Sequence, residues 1–235
     1  MKPIIALNGG SAFDRQFHSR GNVSVKNYPA AIAAAGGVPL LVTDPTSLED
    51  YAAMADGLIL TGSLSFSPSP ELQKAVHDAE SNDRPVFDDA IVDAFVKAGK
   101  PILGICLGLQ VLNLHFGGTL ADGFKFKDGI EHMLCAHLSL STDESVTKPL
   151  FGECFMINSR HNRKIDVLAP GLIATAYSPD GVIEEIKHES LPIWAFEWHP
   201  ERMRGDYREP PTGPDTTPLF KWFMDVCAEK RDAQK

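Results

Sequence analysis
Short apolar runs alternate with stretches of helical period through the first half of the chain. Pro3 to Leu7, Pro39 to Val42, Gly57 to Thr61 and Pro101 to Ile105 read as buried strands. Between them, Val25 to Ala35 reads as a helix stopped by Gly36-Gly37, because glycine accepts the left-handed backbone that ends a helix. Phe87, Ile91, Ala94 and Phe95 recur at helical spacing and mark the buried face of a helix ending near Gly99. Leu109, Val111, Leu112 and Leu114 are apolar positions of the helix after Ile105. This alternation predicts an α/β fold with a mostly parallel central sheet and helices on both faces. The second half is richer in strands: Ala136 to Leu140, Cys154 to Ile157, Ile173 to Tyr177, Val182 to Lys187 and Ile193 to Glu197. Pro179-Asp180-Gly181 has the residues of a hairpin turn between two of them, so antiparallel strands are added to the parallel core. Leu219, Trp222, Phe223, Val226 and Cys227 outline a closing amphipathic helix.

With 235 residues the chain is long enough for one large core, and a single domain over residues 1–235 is expected. Ser63 to Pro70 and Met203 to Pro218 are rich in turn formers and read as irregular surface loops. The net charge of -9 disfavours nucleic acid and anionic membrane as partners. No apolar run is long enough to span a bilayer. Ile4 to Leu7 is too short for a signal peptide before Asn8-Gly9-Gly10, so a cytoplasmic location is expected and the sequon Asn22-Val23-Ser24 has no use. Asn8-Gly9-Gly10-Ser11 reads as a turn near the active-site edge, since it lacks a full phosphate-binding fingerprint. The four cysteines are scattered and read as free thiols, with Cys135, Cys154 and Cys227 as small apolar filler.

Cys106 is different. Gly104 and Gly108 flank it at two residues on either side, between a strand and a helix. A nucleophile on a sharp strand-to-helix turn needs small neighbours to let the turn close. Unpaired N–H groups at the helix start favour negative charge there, so the thiol is expected to tend toward thiolate. Far downstream, an apolar run ends in Trp198-His199-Pro200-Glu201. A histidine at a strand end with a carboxylate two residues on has the parts of a general base and its orienter. Glu197 is also near, and strand alternation alone does not say which carboxylate faces the ring.

Gly104-Ile105-Cys106-Leu107-Gly108 and Trp198-His199-Pro200-Glu201 together resemble the class I glutamine amidotransferase family. More narrowly they resemble its γ-glutamyl-γ-aminobutyrate hydrolase branch (peptidase C26-like). Asn27-Tyr28-Pro29, Ala35 to Pro39, Asp56 to Gly62, Gly117 to Leu120, Asn158 to His161 and Ser178 to Glu184 agree in order. The resemblance implies a flavodoxin-like amidotransferase fold and hydrolysis of a small-molecule γ-glutamyl amide through a thioester. It implies Cys106 as nucleophile, His199 as base and Glu201 as its orienter. Gly62, Ser63 and the N–H of Leu107 are its implied oxyanion hole, and Gln110, Ser159, Arg160 and His161 its implied glutamyl pocket. No cofactor is implied.

The chain departs from that branch at Thr61-Gly62-Ser63-Leu64-Ser65, at Leu107 and at His161-Asn162-Arg163. These changes bear on the leaving amine, whose identity is open. Two other readings stand: a glutaminase subunit delivering ammonia to a separate synthase, and a non-catalytic binding module. A homodimer is open. His132, Cys135 and His137 could suggest a metal site, but their spacing is loose, and no metal is expected.

Overall fold
The computed structural model describes residues 1–14, 19–63, 84–122, 130–205 and 209–234. Its centre is a nine-stranded sheet in the order β4-β1-β5-β6-β13-β12-β11-β8-β9. The strands β1 (Ile4–Asn8), β4 (Val38–Val42), β5 (Gly57–Leu60), β6 (Ile102–Ile105) and β13 (Ile193–Phe196) run parallel. The strands β12 (Ile183–His188), β11 (Leu172–Tyr177), β8 (Cys135–Ser141) and β9 (Cys154–Ser159) extend it antiparallel. The chain therefore has the mixed, mostly parallel core and added antiparallel strands that its pattern predicts.

Alternation along the central strands divides the core into two layers. Ala6, Leu58, Leu60 and Ile102 face helices α2 (Leu48–Met54), α3 (Arg84–Lys97) and α4 (Leu107–His115). Ile5, Leu7, Ile59, Leu103 and Ile105 face α1 (Asn27–Ala34) and α6 (Thr217–Ala233). Successive side chains of a strand point to opposite faces, so one run of apolar residues fills both layers. The closing helix contributes Leu219, Phe223 and Cys227 to the second layer, all fully buried.

Element ends differ from expectation by one or two residues, as fraying ends do. The expected hairpin lies between β11 and β12, where Gly181 has φ 86° and Ser178 N–H reaches Val182 O at 2.9 Å. Other elements carry no clear periodic signal in the sequence: α2, the short helix α5 (Lys148–Phe151), and two ribbons. One ribbon pairs β2 (Gly10–Asp14) with β3 (Ser19–Val23), and so continues the expected Asn8-Gly9-Gly10-Ser11 turn as a strand. The other pairs β7 (Thr119–Asp122) with β10 (Arg163–Val167). Asn113 ties the second ribbon to α4, its Nδ2 donating to Thr119 O and Val167 O at 3.1 Å each.

The expectation for the cysteines is corrected in part. All four are free, but only Cys106 and Cys227 are buried; Cys154 is exposed and Cys135 half-buried. Cys135 starts β8, while Cys154 starts β9 on the uncovered face that it shares with Leu138 and Leu140. Of the first expected loop, residues 64–70 lie outside the described residues. The second is preceded by a 3-10 turn, Pro200–Arg202, starts with Met203 fully in the core rather than at the surface, and ends in α6 at Thr217; its residues 206–208 lie outside the described residues.

Candidate active site
Cys106 sits between β6 and α4 with φ 53° and ψ -106°. A non-glycine residue at positive φ is strained. Its neighbours hold it there: Cys106 N–H donates to Phe196 O at 2.7 Å, and its carbonyl accepts from Leu109 N at 2.9 Å. The flanking glycines are required by contact. A Cβ on Gly108 would lie 2.4 Å from Leu60 O, and one on Gly104 would lie 2.8 Å from the backbone of Gly108.

His199 comes to the same place from the end of β13. A single methyl on Gly62 would touch both His199 Cε1, at 2.9 Å, and Cys106 Cβ, at 3.4 Å. His199 Nδ1 lies 2.8 Å from Glu201 Oε1. His199 Nε2 is buried with no hydrogen-bond partner among the described residues, leaving it for a reacting group. Of the two carboxylates the sequence leaves open, Glu201 faces the ring. Glu197 instead accepts from Gln110 Nε2 at 2.5 Å and lies 3.4 Å from His161 Nδ1. Burial pushes the Glu201 carboxyl up, but His199 and Arg202 outweigh it and hold the group below the usual carboxylate value. Glu201 therefore faces the imidazole as an anion.

The thiol does not lean toward thiolate as the helix start suggests. Burial pushes Cys106 well above the ordinary thiol value of 9.0, and the nearby Glu197 and Glu201 push the same way. The Leu107 N–H and Arg84 pull it down and do not prevail. Glu197 is itself pushed up to about 8 by burial, so near neutrality it is largely uncharged. Desolvation is thus the main reason the resting sulfur keeps its proton.

The remaining expected residues are placed as follows. Gly62 N–H donates to Tyr28 Oη at 2.9 Å, with Ser63 next along the turn and half-buried. Leu107 begins α4 beside the sulfur. Gln110 is buried on Glu197. Ser159 Oγ donates to His132 O at 2.9 Å. Arg160 Nη2 pairs with Glu209 Oε2 at 2.5 Å, joining β9 to the loop after Gly205. His161 lies in a buried histidine cluster with His132, His137 and Glu184. Cys135 does not join that cluster; its thiol turns to Glu131 O. Burial lowers His137 to about 4 and His161 to about 3, and lowers His132 as well. Burial raises Glu184 well above its usual value, with Glu197 and Asp180 adding to it.

Several residues that shape the site have no sequence signature. Arg84 is buried and reaches three acceptors around the Gly62 turn: Thr61 O at 2.6 Å, Gly62 O at 3.1 Å and Thr61 Oγ1 at 3.2 Å. Its Nε pairs with Asp88 Oδ2 at 3.0 Å. Asn8 Nδ2 donates to Asp88 Oδ1 at 2.6 Å, and Asn8 Oδ1 accepts from Thr61 N at 2.6 Å. The turn that bears Gly62 is therefore held by one connected polar network. Of the residues in this network, Asn8, the last residue of β1, and Thr61 fall in segments that the sequence singles out. Tyr28, in the Asn27-Tyr28-Pro29 segment, also shapes the site: its ring packs in the second core layer while its hydroxyl accepts from Gly62 N–H at 2.9 Å.

These features define an α/β fold with a cysteine on a strand-to-helix turn and a histidine–carboxylate pair near it. The Peptidase C26 family model matches residues 3–201, and the chain belongs to that family. Among curated relatives, the putative glutamine amidotransferase-like protein YvdE of Lactococcus lactis is 33% identical over 70% of this chain and 74% of its own length. The gamma-glutamyl-gamma-aminobutyrate hydrolase PuuD of Escherichia coli is 29% identical over 86% of this chain and 85% of its own. A solved structure of a putative GMP synthase subunit from Thermoplasma acidophilum superposes with a TM-score of 0.69 at 19% identity, covering 100% of this chain and 98% of that one. That likeness establishes the class I glutamine amidotransferase fold. No described helix is long and apolar enough to cross a membrane.

Proposed function
We propose that this protein hydrolyses a γ-glutamyl amide through a thioester on Cys106. The observation that carries the reading is the line of Cys106, His199 and Glu201, with His199 Nδ1 held 2.8 Å from Glu201 and its Nε2 left unbonded beside the elbow. Cys106 starts as a thiol. Its proton passes to His199 Nε2 as the sulfur attacks the γ-carbonyl, and the anionic Glu201 stabilises the imidazolium. The Leu107 N–H, at the start of α4, faces the developing oxyanion, and the Gly62-Ser63 turn faces it from the other side. His199 then gives the proton to the leaving amine, whose C–N bond breaks. Water, deprotonated by His199, cleaves the thioester and releases glutamate.

Release of a free amine, rather than delivery of ammonia to a synthase, is favoured by the match, over 86% of this chain, to a relative named as a hydrolase. The departures at Ser63 and Leu107 leave the nucleophile and base intact and bear on the amine. The substrates expected are γ-glutamyl amides with small or neutral leaving groups, with free glutamine poorer. The experiment compares kcat/KM of the isolated chain for glutamine, γ-glutamyl-aminobutyrate and a γ-glutamyl anilide. Cys106→Ala serves as the blank. A clear preference for glutamine, or activity only with an added synthase, would replace this reading with the amidotransferase one. Turnover by Cys106→Ala would remove the mechanism.

A further inference from the structure
Four side chains from separate segments converge in the interior beside the Cys106–His199–Glu201 site. They are His132 before β8, His137 on β8, His161 between β9 and β10, and Glu184 on β12. All four are buried, none more than 7% exposed. The backbone brings the first and third together: His132 O accepts from both His161 N and Ser159 Oγ, each at 2.9 Å. One ligand atom from each residue can be chosen so that all four lie within 4.8 Å of one another. His132 Nδ1 is 3.1 Å from His161 Nε2 and 3.5 Å from Glu184 Oε1. His137 Nε2 and His161 Nε2 are 3.6 and 4.0 Å from the same oxygen. Tetrahedral nitrogen and oxygen ligands about 2.0–2.1 Å from zinc stand about 3.3 Å apart, and these separations bracket that value.

The outward nitrogens explain what the inward ones present. His132 Nε2 lies 3.1 Å from Asp180 Oδ2, His137 Nδ1 3.1 Å from Leu138 O, and His161 Nδ1 2.7 Å from Arg163 O. Each of those partners only accepts, so the network assigns the ring hydrogen to the outward nitrogen in all three. The inward nitrogens are then lone pairs facing one another and the buried Glu184 carboxyl group. A proton or a metal cation between His132 Nδ1 and His161 Nε2, 3.1 Å apart, relieves the repulsion of two such acceptors. Both Glu184 oxygens and His137 Nε2 are buried with no hydrogen bond among the described residues. A carboxylate or carbonyl behind each imidazole is also the outer arrangement that orients metal-bound histidines.

The geometry points to a four-ligand site for one divalent transition-metal ion, formed by His132, His137, His161 and Glu184. Three imidazoles and a single carboxylate favour zinc over magnesium or calcium. Four protein ligands make the site closed and structural. The ion would pin β8, the β9–β10 turn and β12 to one another. His161 carries the constraint onward, through Glu197 and Gln110, toward the end of β13 and α4. The inference does not depend on the hydrolase reading, and it reverses the expectation of no metal drawn from the loose spacing of His132, Cys135 and His137.

The test is elemental analysis of the full chain, made without a polyhistidine tag in zinc-supplemented medium and dialysed against a weak chelator. About one zinc per folded wild-type chain is expected. His137→Ala and Glu184→Gln should each fall below about a tenth of that. Asp180→Asn should keep the ligands but bind zinc about 10–100-fold more weakly, as loss of an outer partner does. A folded wild-type chain with less than a tenth of an equivalent of transition metal overturns the proposal. So does an unchanged metal content in both ligand variants. If the variants fail to fold, zinc K-edge absorption of the wild type decides: nitrogen and oxygen neighbours alone at about 2.0–2.1 Å support the site, and a sulfur neighbour at about 2.3 Å sinks it.

Discussion

Asn158 grips His199 by its backbone on both sides. Its Oδ1 accepts from His199 N–H at 2.8 Å, and its Nδ2 donates to His199 O at 3.0 Å and to Glu209 O at 3.0 Å. His199 thus leaves β13 with its backbone fixed by Asn158 and its ring met by Glu201. Asn158→Ala strips partners from buried polar groups, each worth about 1–3 kcal/mol. It should lower kcat about 10–100-fold with a smaller change in KM, because a misplaced base loses transition-state contacts. Asn158→Asp keeps the acceptor and should recover part of the loss. Steady-state kinetics of the two variants check this; equal kcat in wild type and Asn158→Ala would show that the clamp does not matter.

The pH profile of thiol alkylation reads the state of Cys106. Its pKa is raised by burial first and then by Glu197 and Glu201, so the thiolate fraction at pH 7 to 9 is smaller than for an ordinary thiol. Deprotonation grows as pH rises, so iodoacetamide labelling of Cys106 should be slow at pH 7 and still climbing above pH 9. The measurement is made in a Cys154→Ser background, which removes the exposed thiol. A plateau below pH 8 would mean a preformed thiolate.

Tyr28 Oη accepts the Gly62 N–H and lies against the sulfur's surroundings. Removing the hydroxyl in Tyr28→Phe frees that N–H but deletes the group that orients it. A kcat loss on the order of 10²-fold is expected if orientation of the Gly62 turn contributes to oxyanion binding. Single-turnover thioester formation measures it directly. An unchanged rate would leave the oxyanion to Leu107 and Ser63 alone.

Arg84 and Asp88 form a buried ion pair whose other bonds among the described residues hold the Thr61–Gly62 turn or Asn8. Breaking one partner leaves an uncompensated charge, typically costing about 3–5 kcal/mol. Arg84→Met should lower the urea midpoint accordingly and reduce activity further than stability alone explains. A variant as stable and active as the wild type would show the network to be dispensable.

The triad variants rank in a set order. Cys106→Ala should abolish turnover while the protein remains folded, and His199→Ala should be nearly as damaging. Glu201→Gln should be milder, since an orienter is partly replaced by water and by the remaining hydrogen bond. Circular dichroism and kcat of the three variants check the order.

The layered core was legible because its cause is local. A buried strand is an apolar run, its residues alternate between two faces, and a helix repeats about every 3.6 residues. Ala6, Leu58 and Ile102 on one face and Ile5, Ile59 and Leu103 on the other follow from that alone. The elbow was legible for the same reason: Gly104 and Gly108 are small because the turn closes against Leu60 and against itself. His199-Pro200-Glu201 carries its pair within one short segment. What only the tertiary structure decided depends on partners far apart in the chain. Asn8, Thr61, Arg84 and Asp88 meet through the pairing of β1 with β5 and the packing of α3, and none shows a local pattern. His132, His137, His161 and Glu184 come together only because β8 pairs with β9 and β12 lies in the same sheet. The charge state of Cys106 is not legible in the sequence because a helix start is local, whereas the burial that outweighs it is a property of the whole fold.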